Sequence, residues 1–431
     1  MLGRMRQVFA VEELRRRIIY TLGMLLVFRI GAHIPVPGVD TAQLAGAFQQ
    51  TFGAGLFGFI NMFTGGALQQ FSLFSLGVIP YINASIILSL LIPAFPRLKK
   101  LQEEGREGRK KLTQYTRWGT LILALLQSYG MSFLVRGYGL VEWPWGLFVV
   151  STVISLTAGT VFLMWVGERM TENGVGNGIS MLIMAGIVAR LPAEIQQAAL
   201  DISAGTVHPL WAIGLVGLFV AVVALTVIIQ QGQRKIVIQY AKRTSGRRVY
   251  GGHTTHLPLR VNQGGVIPII FASAILTLPS SIAAWVPQLN WLQSYVAPGS
   301  TIYLVAYVLL IFFFTYFYSS LVFDPNDIAK NLREAGGFVP GVRPGQPTAA
   351  YLGSVSNRLL LVGGLFLAGI AILPHLFSSL SGLRVFSIGG TSILILVGVG
   401  IDTIMQIEAH LVMRQYESLI KGSAFLGRKG L

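Results

Sequence analysis

Leu210–Gln230 reads LWAIGLVGLFVAVVALTVIIQ, without one charged residue. At 1.5 Å of rise per residue a helix of that length covers about 30 Å, the hydrocarbon thickness of a bilayer. A surface helix of a soluble protein keeps a polar face, and this run has none. Its reading decides the class: the chain spans a membrane. Composition agrees, with 53% hydrophobic and 12% charged residues in 431, where a soluble chain carries roughly 25% charged. Soluble enzymes are excluded.

Nine more apolar stretches bounded by charges, Pro or Gly flank that run, giving ten predicted spans: 18–36, 71–93, 117–135, 146–167, 178–191, 210–230, 265–286, 301–323, 355–376 and 388–412. With a cytoplasmic N-terminus, 29 of the 33 Lys and Arg fall on the cytoplasmic side. Arg136, Arg190 and Arg384 fall outside, and Arg29 lies within the first span. That skew is the positive-inside pattern and places both termini in the cytoplasm. The first run is long and lacks a small-residue cleavage site after His33–Pro37, so it reads as a retained span. Before it, segment 1–17 alternates apolar residues with Glu12, Glu13 and Arg15–Arg17, an amphipathic stretch suited to the cytoplasmic interface.

Ten spans divide five and five, and an odd-numbered half must insert upside down relative to its twin. The division predicts an N-terminal half over 18–200, a C-terminal half over 201–412 with cytoplasmic loops 230–262 and 324–354, and a tail over 413–431. Loop 230–262 holds seven Lys or Arg and no acid, and RKIVIQY at Arg234–Tyr240 alternates as a strand does, predicting a hairpin. Gly53–Gln70, GAGLFGFINMFTGGALQQ, is apolar but too short to span, and glycines bracket it. It is re-entrant, interfacial or lodged in a cavity, unless it is an ordinary surface helix.

Much chemistry is absent. There are no cysteines, so disulfides, thiolate metal sites and cysteine nucleophiles are excluded. No Gly precedes a Lys, so the nucleotide-binding GxxxxGK[ST] loop is missing. Glu172–Ser180, ENGVGNGIS, does not match GxGxxG and reads as the join between two helices. The six His residues show no HExxH spacing, and no GxSxG elbow occurs. Neither an enzyme, a metal nor a cofactor is expected. Ionisable groups at the midplane, the mark of pumps, are scarce, although Asp402 keeps an inverted-repeat secondary transporter as the alternative.

Branched aliphatics stand beside helix-loosening residues in several spans, as Val78, Pro80 and Ile82 do in the second. Composition alone does not single out a ring among them, because lipid facing or helix packing is the commoner role of such residues. Seven ordered motifs go further: GVIPYINASII at Gly77–Ile87, EGREGRKKLTQYTRWGT at Glu104–Thr120, GVGNGISMLIMAGIVARLP at Gly174–Pro192, QRKIVIQYAKR at Gln233–Arg243, GGVIPIIFASAIL at Gly264–Leu276, GGFVPGVRPGQPTA at Gly336–Ala349 and GGTSILIL at Gly389–Leu396. By these the chain resembles, over nearly its whole length, the SecY family of protein-translocation channel subunits.

The resemblance implies an all-α membrane protein of ten transmembrane helices in two inverted five-helix halves. These surround a central hourglass pore that carries a short re-entrant plug helix and opens sideways between spans two and seven. It implies passage of unfolded secretory polypeptides across the bacterial cytoplasmic membrane and release of membrane segments into the lipid bilayer. The family's pore ring falls on Val78, Ile82, Ile183, Ile187, Ile270 and Ile395. Its plug falls on about 55–68, with Leu56, Phe57, Phe59, Ile60, Met62, Phe63 and Leu68. Docking of the ribosome or the SecA motor falls on Arg234, Lys235, Lys242, Arg243, Arg247, Arg248 and Arg343. The small membrane subunits SecE and SecG and signal-bearing polypeptides are the other implied partners.

Overall fold

The computed structural model describes residues 11–47, 61–137, 139–205, 209–240, 243–245, 248–250, 254–285, 300–381 and 390–426. The N-terminal bundle contains α1 (Glu12–Gly31), a short α2 (Thr41–Ala47), α3 (Ile79–Ala94), α4 (Pro96–Glu103), α5 (Arg106–Gly137), α6 (Trp145–Asn173) and α7 (Gly178–Ser203). After α8 (Pro209–Gln231) come β1 (Gln233–Tyr240), β2 (Arg243–Ser245), β3 (Arg248–Tyr250) and β4 (Thr254–Arg260). Then follow α9 (Ile267–Trp285), α10 (Thr301–Val322), α11 (Pro325–Glu334), β5 (Gly337–Phe338), α12 (Gln346–Ser381) and α13 (Gly390–Leu426).

Every one of the ten apolar runs meets a helix, with changed ends. The second run starts at Ile79 rather than 71, because Gly77 takes φ +57 and residues 71–77 form tight turns that pair at Phe71 and Leu73 with the stretch just after α1. Val36 N–H donates to Phe71 O at 2.9 Å and Leu73 N–H to Ile34 O at 2.8 Å. Pro80 then opens α3, as a residue without an N–H does in a first turn. Its far end breaks by 101° into α4 at Pro96, where Phe95 is extended, as a residue before proline prefers. The amphipathic segment is no separate element from Glu12 on. It is the start of α1, whose first turns carry Glu12, Glu13 and Arg15–Arg17.

Among the described residues six helical stretches are long and apolar enough to cross a membrane, or seven with the bent α3–α4 pair. α8 and α9 add the shorter apolar stretches Val216–Gln231 and Ile267–Leu276. Their outer faces are apolar: Ile122, Ile154, Ile213, Leu309 and Leu365 are all exposed. Such continuous apolar surface belongs in lipid. Within the uncharged run 210–230, Leu218, which its position alone would place facing lipid, is partly buried against the interior, whereas Ile213 is 74% exposed.

α3 packs on α5, α5 on α6, and α6 on α1 and α7. In the second bundle α9 packs on α10, α10 on α12, and α13 on α8 and α12. The bundles meet along two seams, α3 and α5 against α9, and α7 against α8 and α13. The expected strand at RKIVIQY is β1, antiparallel to β4 with Ile236 opposite Leu257. The hairpin is larger than expected, since β5 from the next loop adds to the other edge of β1, with Gln239 opposite Phe338 and Tyr240 opposite Gly337.

Candidate functional site: an apolar constriction where the bundles meet

Four helices deliver the six branched residues. Val78 caps α3 and Ile82 lies one turn on, so the two share a face. On α7, whose first turn is held by Asn177 accepting from Ser180 N–H at 3.1 Å, Ile183 and Ile187 repeat that spacing. α9 supplies Ile270 and α13 supplies Ile395. All six are buried, from 0% exposure at Ile395 to 9% at Ile270, and all belong to one apolar cluster drawn from both bundles.

Met62 and Phe63 lie in the same cluster. Gly186, between Ile183 and Ile187, lets the chain rest directly on α7: a Cβ there would meet the Phe63 carbonyl oxygen at 2.5 Å and the Gly65 nitrogen at 3.2 Å. Ser392 Oγ, one turn before Ile395, lies 2.8 Å from Met62 Sδ. Residues 61–66 are thus pressed between one helix of each bundle. Leu68 behaves differently, packing with Phe71, Leu76 and Phe148 in a second cluster. Leu56, Phe57, Phe59 and Ile60 lie outside the described residues.

Of the basic candidates, two lie on the three-stranded sheet β4–β1–β5, one in the turn after it, and two on the separate β2–β3 pair. Arg234 and Lys235 are exposed on β1 and Arg343 is exposed in the turn after β5. Since β1 pairs with both β4 and β5, strands from loops 230–262 and 324–354 share one sheet, over a small core of Ile236, Leu259, Val339 and Leu352. Arg243 opens β2 and Arg248 opens β3. Lys242 and Arg247 lie outside the described residues.

Three participants carry no signal in the linear sequence. Gly186 looks like any helical glycine, and Ser392 like any membrane serine. Gln406 reaches back to the join of α6 and α7 from 230 residues away. Only proximity reveals them.

The SecY family profile matches residues 72–404. A protein translocase subunit SecY from Thermotoga maritima is 47% identical over 437 residues, covering 98% of this chain and 99% of the relative. Two solved structures share the fold, each covering 92% of both chains. One, concerned with the plug domain of SecY in the closed state of the translocation channel, has a TM-score of 0.62 at 17% identity. The other, Sec61 in a canine ribosome-channel complex, has a TM-score of 0.59 at 16% identity.

Fold and likeness define a multi-pass, mainly helical membrane protein of the protein-conducting channel class, a non-enzymatic translocase component. The chain belongs to the SecY family. That membership sets aside the secondary-transporter alternative built on Asp402.

Proposed function

We propose that this chain forms the pore of a Sec translocase in the bacterial cytoplasmic membrane. Ten spans in two inverted halves, both termini cytoplasmic, enclose an hourglass pore. Val78, Ile82, Ile183, Ile187, Ile270 and Ile395 form its constriction and residues 55–68 its plug. The observation that carries this is the joining of those six residues, from four helices of both bundles, in one buried cluster with Met62 and Phe63.

The physics suits the task. A pore for many unrelated chains cannot present fixed charges or donors without stalling on some of them. Branched aliphatics make a deformable seal, and a narrow apolar passage sheds water and so stops ions. Unfolded secretory polypeptides cross there. Parting of the apolar α3–α9 seam would pass membrane segments to lipid, each buried CH₂ gaining about 0.8 kcal/mol. The exposed Arg234, Lys235 and Arg343 suit a phosphate-rich ribosome, the partner in the canine structure, or an acidic face of SecA. SecE and SecG complete the assembly in this reading.

Site-specific photocrosslinking of an arrested secretory chain tests it. Probes at Ile183 and Ile270 should capture the polypeptide, and a probe at Ile213 should capture lipid or nothing. Capture at Ile213 alone, with substrate engaged, would overturn the pore assignment.

A further inference from the structure

Arg29 has no place in the constriction, yet it stands in the outer half of the first span, where a charge is costly and calls for a reason. Its Nη1 donates to the Gly65 carbonyl at 2.8 Å. Among the described residues no carboxylate forms a salt bridge with it. The guanidinium is thus committed to a main-chain oxygen in the segment read as the plug.

That oxygen belongs to a defined stop. Gly66 N–H donates to Asn61 O at 2.9 Å and Gly65 N–H to Met62 O at 3.3 Å, with Gly65 left-handed at φ +68. These are the paired six-to-one and five-to-two bonds of a Schellman termination. Asn61 Oδ1 takes the Gln69 N–H at 3.0 Å, closing the turn from the other side. Three bonds hold this turn, and its Gly65 carbonyl presents its oxygen to the cation.

The donor is mounted as firmly. Phe28, beside Arg29, stacks on Phe74 at 6.2 Å, and Phe74 stacks on Phe162 of α6 at 6.0 Å. A Cβ at Gly31 would strike the Phe74 ring, so α1 lies flush against this stack. The bond joins a fixed helix to the closing turn of a segment that is otherwise held by apolar contact at Met62 and Phe63 and by the weak Ser392 Oγ contact to the Met62 sulfur.

We propose that Arg29 is a positioning residue, a latch that holds the closing turn of the plug and sets how strong a signal sequence must be to open the channel. This rests on the plug reading above. Apolar contacts are non-directional and yield gradually, whereas a directional, charge-assisted bond is made or broken, so it supplies a threshold. Such a bond shifts a two-state balance by about tenfold to a hundredfold. Once broken on the outer side, the guanidinium is rehydrated and strands no buried charge, which makes release reversible.

The test uses the complete translocase reconstituted in vesicles, with wild type, Arg29→Met, Arg29→Gln, Arg29→Lys and a deletion of Leu56–Leu68. Resting ion leak is read first. Transport is then followed for a precursor with an intact signal and for one with a charge in its signal core. The expected result is a leak about tenfold above wild type in Arg29→Met, together with passage of the defective precursor. Arg29→Gln should be intermediate and Arg29→Lys should recover most of the seal, while the intact precursor crosses in all three. Should Arg29→Met insert poorly, the Gln and Lys variants still order the leak. If the deletion leaks while all three point variants stay as tight and selective as wild type, the latch is overturned and the plug stands. If the deletion itself does not leak, the plug reading falls and the latch with it.

Discussion

The backbone N–H of Gly176 donates to Oε1 of Gln406 at 3.0 Å, joining the α6–α7 connection to the last helix. The same short connection takes Thr21 Oγ1 on the Val175 N–H at 3.0 Å, and its Gly174 carbonyl accepts from Arg17 Nη1 at 3.3 Å. Gly176 can serve because it adopts φ +83. Three distant stretches are bolted together here by side chains gripping main chain. Replacing Gln406 with Leu removes one bolt, a loss of about 1 kcal/mol. Amide exchange at Gly176 should quicken several-fold, with exchange in α10 unchanged; equal protection at Gly176 would show that the bond contributes nothing.

Gly186→Ala tests the close approach of the chain to α7. The new methyl group would sit 2.5 Å from the Phe63 carbonyl oxygen, so something must move. Overpacking of this kind costs about 1–3 kcal/mol. A raised resting ion conductance is expected, with insertion retained, and a channel as tight as wild type would mean that residues 61–66 do not contribute to the seal.

Ile395→Asn places an amide where exposure is 0%. With no partner in an aliphatic cluster, the amide weakens the closed arrangement by about 1–3 kcal/mol. Precursors with defective signals should then cross more readily, measured against an intact signal in the same vesicles. Unchanged rejection would remove Ile395 from the constriction.

Arg343→Glu should leave stability within about 0.5 kcal/mol, since the side chain is exposed. The turn is held by its main chain, the Arg343 carbonyl accepting from Thr348 Oγ1 at 2.8 Å. Motor-driven transport should fall while the assembled complex is recovered in normal yield. Full-rate transport would show that the docking role assigned to Arg343 is wrong.

Much of the fold is legible in the sequence because a span announces itself locally: about twenty apolar residues suffice, and each predicted run meets a helix. The ends are less legible. Residues 71–78 are as apolar as α3 itself, and the positive φ of Phe71 and Gly77 and the pairing with Ile34 and Val36 exclude them from the helix. α1 hides the opposite way, its start masked by Arg15–Arg17. Of the site, the branched residues come from motif likeness rather than from periodicity, which cannot tell an inward isoleucine from a lipid-facing one. Leu218 illustrates this, being aliphatic in an uncharged run yet packed inward. Contacts between residues far apart, such as Ser392 with Met62, leave no trace in either stretch.

The three-stranded sheet has a mechanical consequence. β1 leaves α8 after the single residue Gly232, β4 runs into α9 through 261–266, and β5 leads to α12 through 339–345. The sheet is therefore a yoke: a force applied to any strand is shared among three membrane helices of one bundle, while no strand is continuous with the other. A pull or push from the cytoplasm would load the C-terminal bundle through α8, α9 and α12 together, and both seams with the N-terminal bundle, α9 against α3 and α5 and α8 against α7, would carry the load.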